Sequence, residues 1–228
     1  MYSQENLVAK SHAKENGVFI EHIGGLELWQ VGRKDIAKYS EFVYNVYVDN
    51  YSKRDGWVPE EGELQYMIDE DNKQFDHSVY FAFRTPDGRF VGGSKVTNIT
   101  QSSLEFPIQT EFGYDLNQFF SNENVPVNNF WHLGRVAIDK HVLKDVNSDV
   151  KSNYIIKRLL LECSRTVSQI KDNTIVAEVD ALAYRICRVT GLNMRKMGEG
   201  KNYLGSFTYP AYILYSDMKH FTGINGFE

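Results

Sequence analysis

The chain has 228 residues, 42% hydrophobic and 24% charged, the composition of a folded globular protein rather than a disordered one. Its 30 acidic and 25 basic residues leave a formal net charge of -5, which argues against a nucleic-acid binder, whose domain would be basic. Nothing reads as a signal peptide or as an apolar run long enough to span a bilayer, so the expectation is one soluble, cytoplasmic domain over 1–228.

In chain order, residues 1–20 are polar and mixed, and are expected as a loose N-terminal arm. LELWQV (26–31) reads as a short strand. DIAKYSEFVYNVYVDNY (35–51) repeats its apolar residues with a helical period, and Asp35 is the expected N-cap. RDGWVPEEGE (54–63) reads as a polar, acidic loop. SVYFAFR (78–84), the turn PDG (86–88) and RFVGGSKVTNI (89–99) predict a β-hairpin. Residues 100–129 look irregular, and FWHLGRVAID (130–139) is the next strand. After a loop over 140–152, NYIIKRLLLECSRTVSQIK (153–171) is the clearest helix, with Ile156, Leu159, Leu160, Cys163, Val167 and Ile170 on one face. TIVAEV (174–179) is a strand, Asp180 caps a helix that Gly191 ends, and two strands fit 192–198 and 207–215. This order predicts a mixed α/β sheet with one parallel crossover in its second half. Cys163 and Cys187 sit in apolar patterns with no metal spacing, so both are expected as core residues of a reducing compartment, and no metal site is expected.

Strand 130–139 poses the functional question, because it is apolar yet carries His132 and Arg135. Side chains alternate along a strand, so these two would point to opposite faces. Gly134 between them is a natural place for a bulge, which would change that parity.

Several stretches together resemble the Gcn5-related N-acyltransferase fold, and within it the autoinducer (acyl-homoserine-lactone) synthases and the long-chain N-acyl amino acid synthases. YNVYVDNYSKRDGW (44–57) is similar to their early helix and Gly-Trp. QFD (74–76) stands at their acidic cluster, RFVGGSKVTN (89–98) at their hairpin strand, HLGRVAID (132–139) at their Glu-Leu-Ser-Arg strand, and GLNMRKMGEGKNYLGSFTYPAYI (191–213) at their closing segment. The resemblance implies a mostly antiparallel central sheet with a splayed parallel strand pair, flanked by helices. It implies amide-forming acyl transfer from a thioester to a primary amine, with no bound cofactor and with acyl carrier protein or acyl-coenzyme A as co-substrate. The chain departs from the pattern at Val43, Lys95 and His132, where autoinducer synthases usually carry arginine, arginine and glutamate. Those positions help bind and deprotonate S-adenosylmethionine, so the departures favour another amine, an amino acid first. Acylation of S-adenosylmethionine, coenzyme A-dependent acetylation and a non-catalytic acyl-binding module are the alternatives.

Direct attack by an amine needs a base, oxyanion donors and an opened strand edge for the donor's pantetheine. His132 is the candidate base, since an imidazole titrates near neutral pH; the alternative is a core histidine bonded to a carbonyl. Glu178, on a buried strand, either orients His132, acts as a second base, or pairs with a basic residue at the strand end. Arg135 is expected to anchor the acceptor's carboxylate or to order the site through an acidic partner such as Asp76. Asp76 could hold the incoming ammonium, Lys95 could take a carboxylate, and Trp57 could wall the pocket. Their alternatives are an ion pair, a solvated turn, a solvent-facing lysine and a loop pin. The connection 139–152 contains no glycine, unlike the phosphate-binding turn of coenzyme A-dependent acetyltransferases. That favours acyl carrier protein, an acidic partner for a basic patch of Lys140, Lys144, Lys151, Lys157 and Arg158, residues that otherwise form a solvated face. The aromatic-bearing stretch 100–130 is a candidate acyl-chain lining, lid or oligomer contact.

Overall fold

The computed structural model describes residues 14–55, 58–100, 105–146, 149–203 and 205–225. Its framework is a nine-stranded sheet in the order β1-β2-β3-β4-β5-β6-β9-β7, with β8 paired to β9. The strands are β1 (Val18–Ile23), β2 (Leu26–Gln30), β3 (Ser78–Arg84), β4 (Phe90–Asn98), β5 (Phe130–Ile138), β6 (Thr174–Asp180), β7 (Arg195–Lys196), β8 (Lys201–Tyr203) and β9 (Ser206–Ile213). Every neighbouring pair is antiparallel except β5–β6.

Helices cover both faces. On one lie α1 (Ile36–Asp55) and α2 (Glu63–Gln74), then α3 (Pro107–Thr110) and α4 (Leu116–Asn122) of the 100–129 stretch. On the other lie α5 (Lys140–Asp145), α6 (Ser152–Val167), α7 (Ala181–Val189) and α8 (Tyr215–Asn225). Alternation along each strand explains the division. Leu133, Ile175 and Ala177 face the α6 and α8 core, whereas Phe130 and Val176 pack under the 100–129 stretch.

The two glycines of the hairpin serve this packing. A Cβ on Gly92 would stand 2.7 Å from Ile155 Cγ2 of α6, and one on Gly93 would stand 2.7 Å from the Tyr39 ring of α1. The glycines therefore admit the protein's own helices on opposite faces, not a ligand.

Several local expectations are corrected. The chain is already in β1 at Val18, so the proposed arm does not reach residue 20. Asp35 closes a 3-10 turn, Arg33–Asp35, and its carboxylate binds Arg84 at 2.9 Å. The loop reading at 140–145 gives way to α5, which Asp139 caps by accepting from His141 N and Val142 N. The main helix stops at Val167, and Ile170 is exposed beyond it. Helices α2 and α8 were not foreseen.

Substituting Gly93 by alanine is expected to force the Tyr39 ring from its seat and cost about 1–3 kcal/mol, as overpacking a tight core does. Urea unfolding monitored by circular dichroism should show a lower midpoint with an unchanged slope.

Candidate active site

Strand β5 is distorted at the residues in question. Against β4, Lys95 pairs with Gly134 but Gly93 pairs with Ala137, so β5 carries one extra residue there. Arg135 absorbs it with a φ of 55°, an uncommon left-handed conformation for a side chain of this size. The bulge brings His132, Gly134, Arg135 and Ala137 to the α1–α2 face and leaves Leu133 and Val136 on the other. Gly134 has a different task. A Cβ there would stand 3.1 Å from His132 Cε1, so glycine makes room for the imidazole.

The parallel ladder between β5 and β6 ends where the bulge begins. It pairs Phe130 with Thr174, Trp131 with Ile175 and His132 with Val176, and no rung follows. Beyond that last rung the facing edges of β5 and β6 are open. At the fork, His132 Nε2 lies 2.8 Å from Glu178 Oε2. The two side chains are 13% and 8% exposed. His132 Nδ1 and Glu178 Oε1 are buried without a hydrogen-bond partner among the described residues. Phe106, which opens α3, covers the imidazole with ring centroids 4.7 Å apart.

Beside this pair lies a charged cluster centred on Asp71 of α2, a residue with no solvent exposure. Asp71 Oδ1 accepts from Lys95 Nζ at 2.8 Å, and Oδ2 accepts from Ser40 Oγ at 2.8 Å and Arg135 Nε at 3.2 Å. Arg135 also binds Glu70, Lys95 also binds Gln74, and the Tyr80 hydroxyl donates to the Asp71 carbonyl at 3.0 Å. Burial alone would raise the Asp71 carboxyl, but the Lys95 and Arg135 charges and the bonds from Lys95 and Ser40 hold it below the usual range. Burial pulls the Lys95 ammonium down, with Asp71 opposing.

This geometry sorts the expected site residues. His132 and Glu178 are brought together. Lys95 is 3% exposed and held by Asp71 and Gln74, which corrects the solvent-facing alternative. Arg135 is ordered by acidic partners, but these are Glu70 and Asp71, not Asp76. Asp76 is exposed and pairs with Arg33 at 2.8 Å and Lys14 at 2.6 Å. Arg158 is removed from the basic patch. It is buried and bound to Glu21 of β1 and Glu162 of α6, which rivets the edge strand to the helix. Lys140, Lys144 and Lys151 are exposed, and Lys157 is half-buried. Trp57 lies outside the described residues.

Lys151, Lys157, Asn153, Tyr154 and the acidic Asp149 line a depression of about 610 Å³ at the start of α6, beside Ile23, Val150, Val189 and Thr190. Lys151 is the α6 N-cap and makes no side-chain capping bond. Among the described residues no group of three or more His, Cys, Asp or Glu could hold a metal ion. No helix among them is long and apolar enough to cross a membrane.

No protein-family model and no curated protein matches the chain. Solved structures do. The chain is similar to FeeM, an N-acyl amino acid synthase from uncultured soil microbes, with a TM-score of 0.59, 10% identity and coverage of 80% of this chain and 89% of that one. It is similar to BjaI, a coenzyme A-dependent acyl-homoserine lactone synthase, at a TM-score of 0.51, 12% identity and coverage of 84% and 82%. An acetyltransferase of the Gcn5-related family from Staphylococcus aureus Mu50 gives 0.53, 11% identity and coverage of 83% and 99%. The fold is therefore that of the Gcn5-related N-acyltransferases, in a form shared with autoinducer synthases.

Asp71→Ala would leave Lys95 and Arg135 without their common counter-charge, a loss of about 3–5 kcal/mol. For Asp71→Asn the sign of the pH dependence is fixed. A carboxyl depressed in the folded state contributes its full stability above the unfolded value of about 4, and loses it as pH falls through the lower folded value. The stability gap between wild type and Asp71→Asn should be widest near neutrality and narrow below about pH 4, measured by denaturant titration at each pH.

Proposed function

We propose that this chain is an amide-forming N-acyltransferase, moving a medium or long acyl group from a thioester to a primary amine. The observation that carries the proposal is the His132–Glu178 pair at the fork of β5 and β6. With Nε2–H donated to Glu178, a neutral imidazole keeps its lone pair on Nδ1, the ring atom left without a partner among the described residues. Glu178 fixes the tautomer and stabilises the imidazolium that forms.

The donor's pantetheine would lie along the open strand edges and bring its carbonyl to the fork. A neutral amine attacks that carbon as its proton passes to His132 Nδ1. The new C–N bond forms, the C–S bond breaks, and the departing thiolate takes the proton from His132. No covalent acyl-enzyme is needed. Burial also pushes both cysteine thiols up to about 12, which suits core residues and not nucleophiles.

Acyl carrier protein is the proposed donor, with the exposed Lys144 and Lys151 meeting its acidic surface. The depression at the start of α6 favours a second reading, acyl-coenzyme A, because lysines, Tyr154 and an uncapped helix start suit a nucleotide phosphate. Both donors present the same phosphopantetheine arm to the fork.

His132→Ala is expected to lower kcat by about 10²–10⁴ while leaving donor affinity unchanged, read by mass-spectrometric product formation and by calorimetry with a non-hydrolysable thioester analogue. Near-normal turnover across pH would remove His132 as the base. Intact donor binding without any turnover by wild type, under every donor and amine tried, would favour a non-catalytic acyl-binding module.

A further inference from the structure

We infer that the acceptor is an amine with a second hydrogen-bond donor and no carboxylate, of the diamine or amino-alcohol class, and not an amino acid. The inference rests on the acyl-transfer reading above and narrows its substrate.

The first argument concerns cations. An amino acid arrives with a carboxylate next to its nitrogen, and burying that group requires a free cation near the fork. Lys95 is sealed between Asp71 and Gln74. Arg135 spends Nε on Asp71 and Nη2 on Glu70. The four charges of Glu70, Asp71, Lys95 and Arg135 cancel. A substrate carboxylate placed at Arg135 would also stand against Glu70 and Asp71, two like charges. Lys201 of β8 lies against the Glu111 carbonyl, 3.9 Å from its carboxylate, and over the Phe112 ring.

The second argument concerns anions. Glu178 gives Oε2 to His132, and its Oε1 has no partner among the described residues although the side chain is only 8% exposed. A carboxylate oxygen accepts and cannot donate, so its natural occupant is an N–H or O–H. Tyr203 of β8, packed on Phe112, registers the same polarity. Burial first, and then the carboxylates of Glu178, Glu111 and Glu70 against the weaker opposing pull of Arg135, push its hydroxyl up to about 12. Glu178 Oε1, buried and without a partner among the described residues, thus calls for a hydrogen-bond donor. His132 Nδ1 takes the proton of the reacting nitrogen, and Glu178 Oε1 takes the substrate's second donor group.

Matched acceptor pairs test this with the full chain. Ethanolamine against glycine, and putrescine against gamma-aminobutyrate, each exchange a donor group for a carboxylate at nearly constant length. Acyl carrier protein and coenzyme A thioesters of medium and long chains would be supplied in turn. The expected result is a kcat/KM at least about tenfold higher for ethanolamine and putrescine than for their partners. Glu178→Gln should shrink that ratio as well as slow both members of each pair. Equal or better use of glycine or gamma-aminobutyrate overturns the inference and leaves acyl transfer standing. Absence of amide from every donor and acceptor, with the protein folded by circular dichroism, overturns acyl transfer itself and the inference with it.

Discussion

A single buried carboxylate holds the site side of this fold together. Asp71 is fully enclosed, and an isolated charge in that position would be prohibitively costly. It remains ionised because Lys95 from β4, Arg135 from β5 and Ser40 from α1 converge on it from separate parts of the chain. The same interaction fixes α2 against the sheet, since Glu70 and Gln74 of that helix accept further bonds from Arg135 and Lys95. It also helps to offset the backbone of Arg135, whose left-handed φ costs about 1–3 kcal/mol in a residue other than glycine. A pair of apolar residues could fill the space, but they could not hold a guanidinium at the bulge.

From that bulge follows the shape of the site. β5 gains one residue against β4, and its parallel ladder with β6 stops at the rung between His132 and Val176. Past that rung the two strands make no further ladder pairs with each other. The His132–Glu178 bond joins the two strands where that ladder ends. The charge cluster and the His132–Glu178 pair are thus neighbours with different surroundings. One fixes the backbone, and the other keeps unpaired atoms.

How far this was legible in the sequence depended on periodicity. The strands around 78–99, 130–139 and 174–179 and helix α6 carry strong apolar patterns, and the structure places them close to their expected bounds. Helix α2 does not. ELQYMIDEDNKQ is polar nearly throughout, and its buried positions are Asp71 and Gln74, so the usual apolar signal is replaced by charge. Asp71 was missed for that reason, although three acidic residues in the run IDEDN were a visible oddity. Lys95 and Arg158 were misread in the opposite direction, because a lysine or arginine on an element normally faces solvent and its burial is decided by partners far away in sequence. His132 and Glu178 were legible as separate anomalies, polar groups on apolar strands. Their contact depended on a parallel crossover and a bulge whose extra residue proved to be Arg135.

The stretch 105–125 adds what the sheet alone lacks. Its Phe106 lies on His132, its Phe112 contacts Tyr203, and its Glu111 holds Lys201, so it joins His132 to the β8–β9 hairpin. Ile108, Leu116 and Phe120 anchor it on Phe130, Val176 and Tyr212 of the sheet. These contacts make it a structured wall of the site. A wall of this kind shields the imidazole from water. It also supplies Glu111, which after burial and together with Glu178 and Glu70 raises the Tyr203 hydroxyl. The sheet and its fork are common to a fold that hosts many acyl acceptors. Around the fork of this chain stand carboxylates and aromatic rings, and among the described residues Lys95 and Arg135 are bound to carboxylates there.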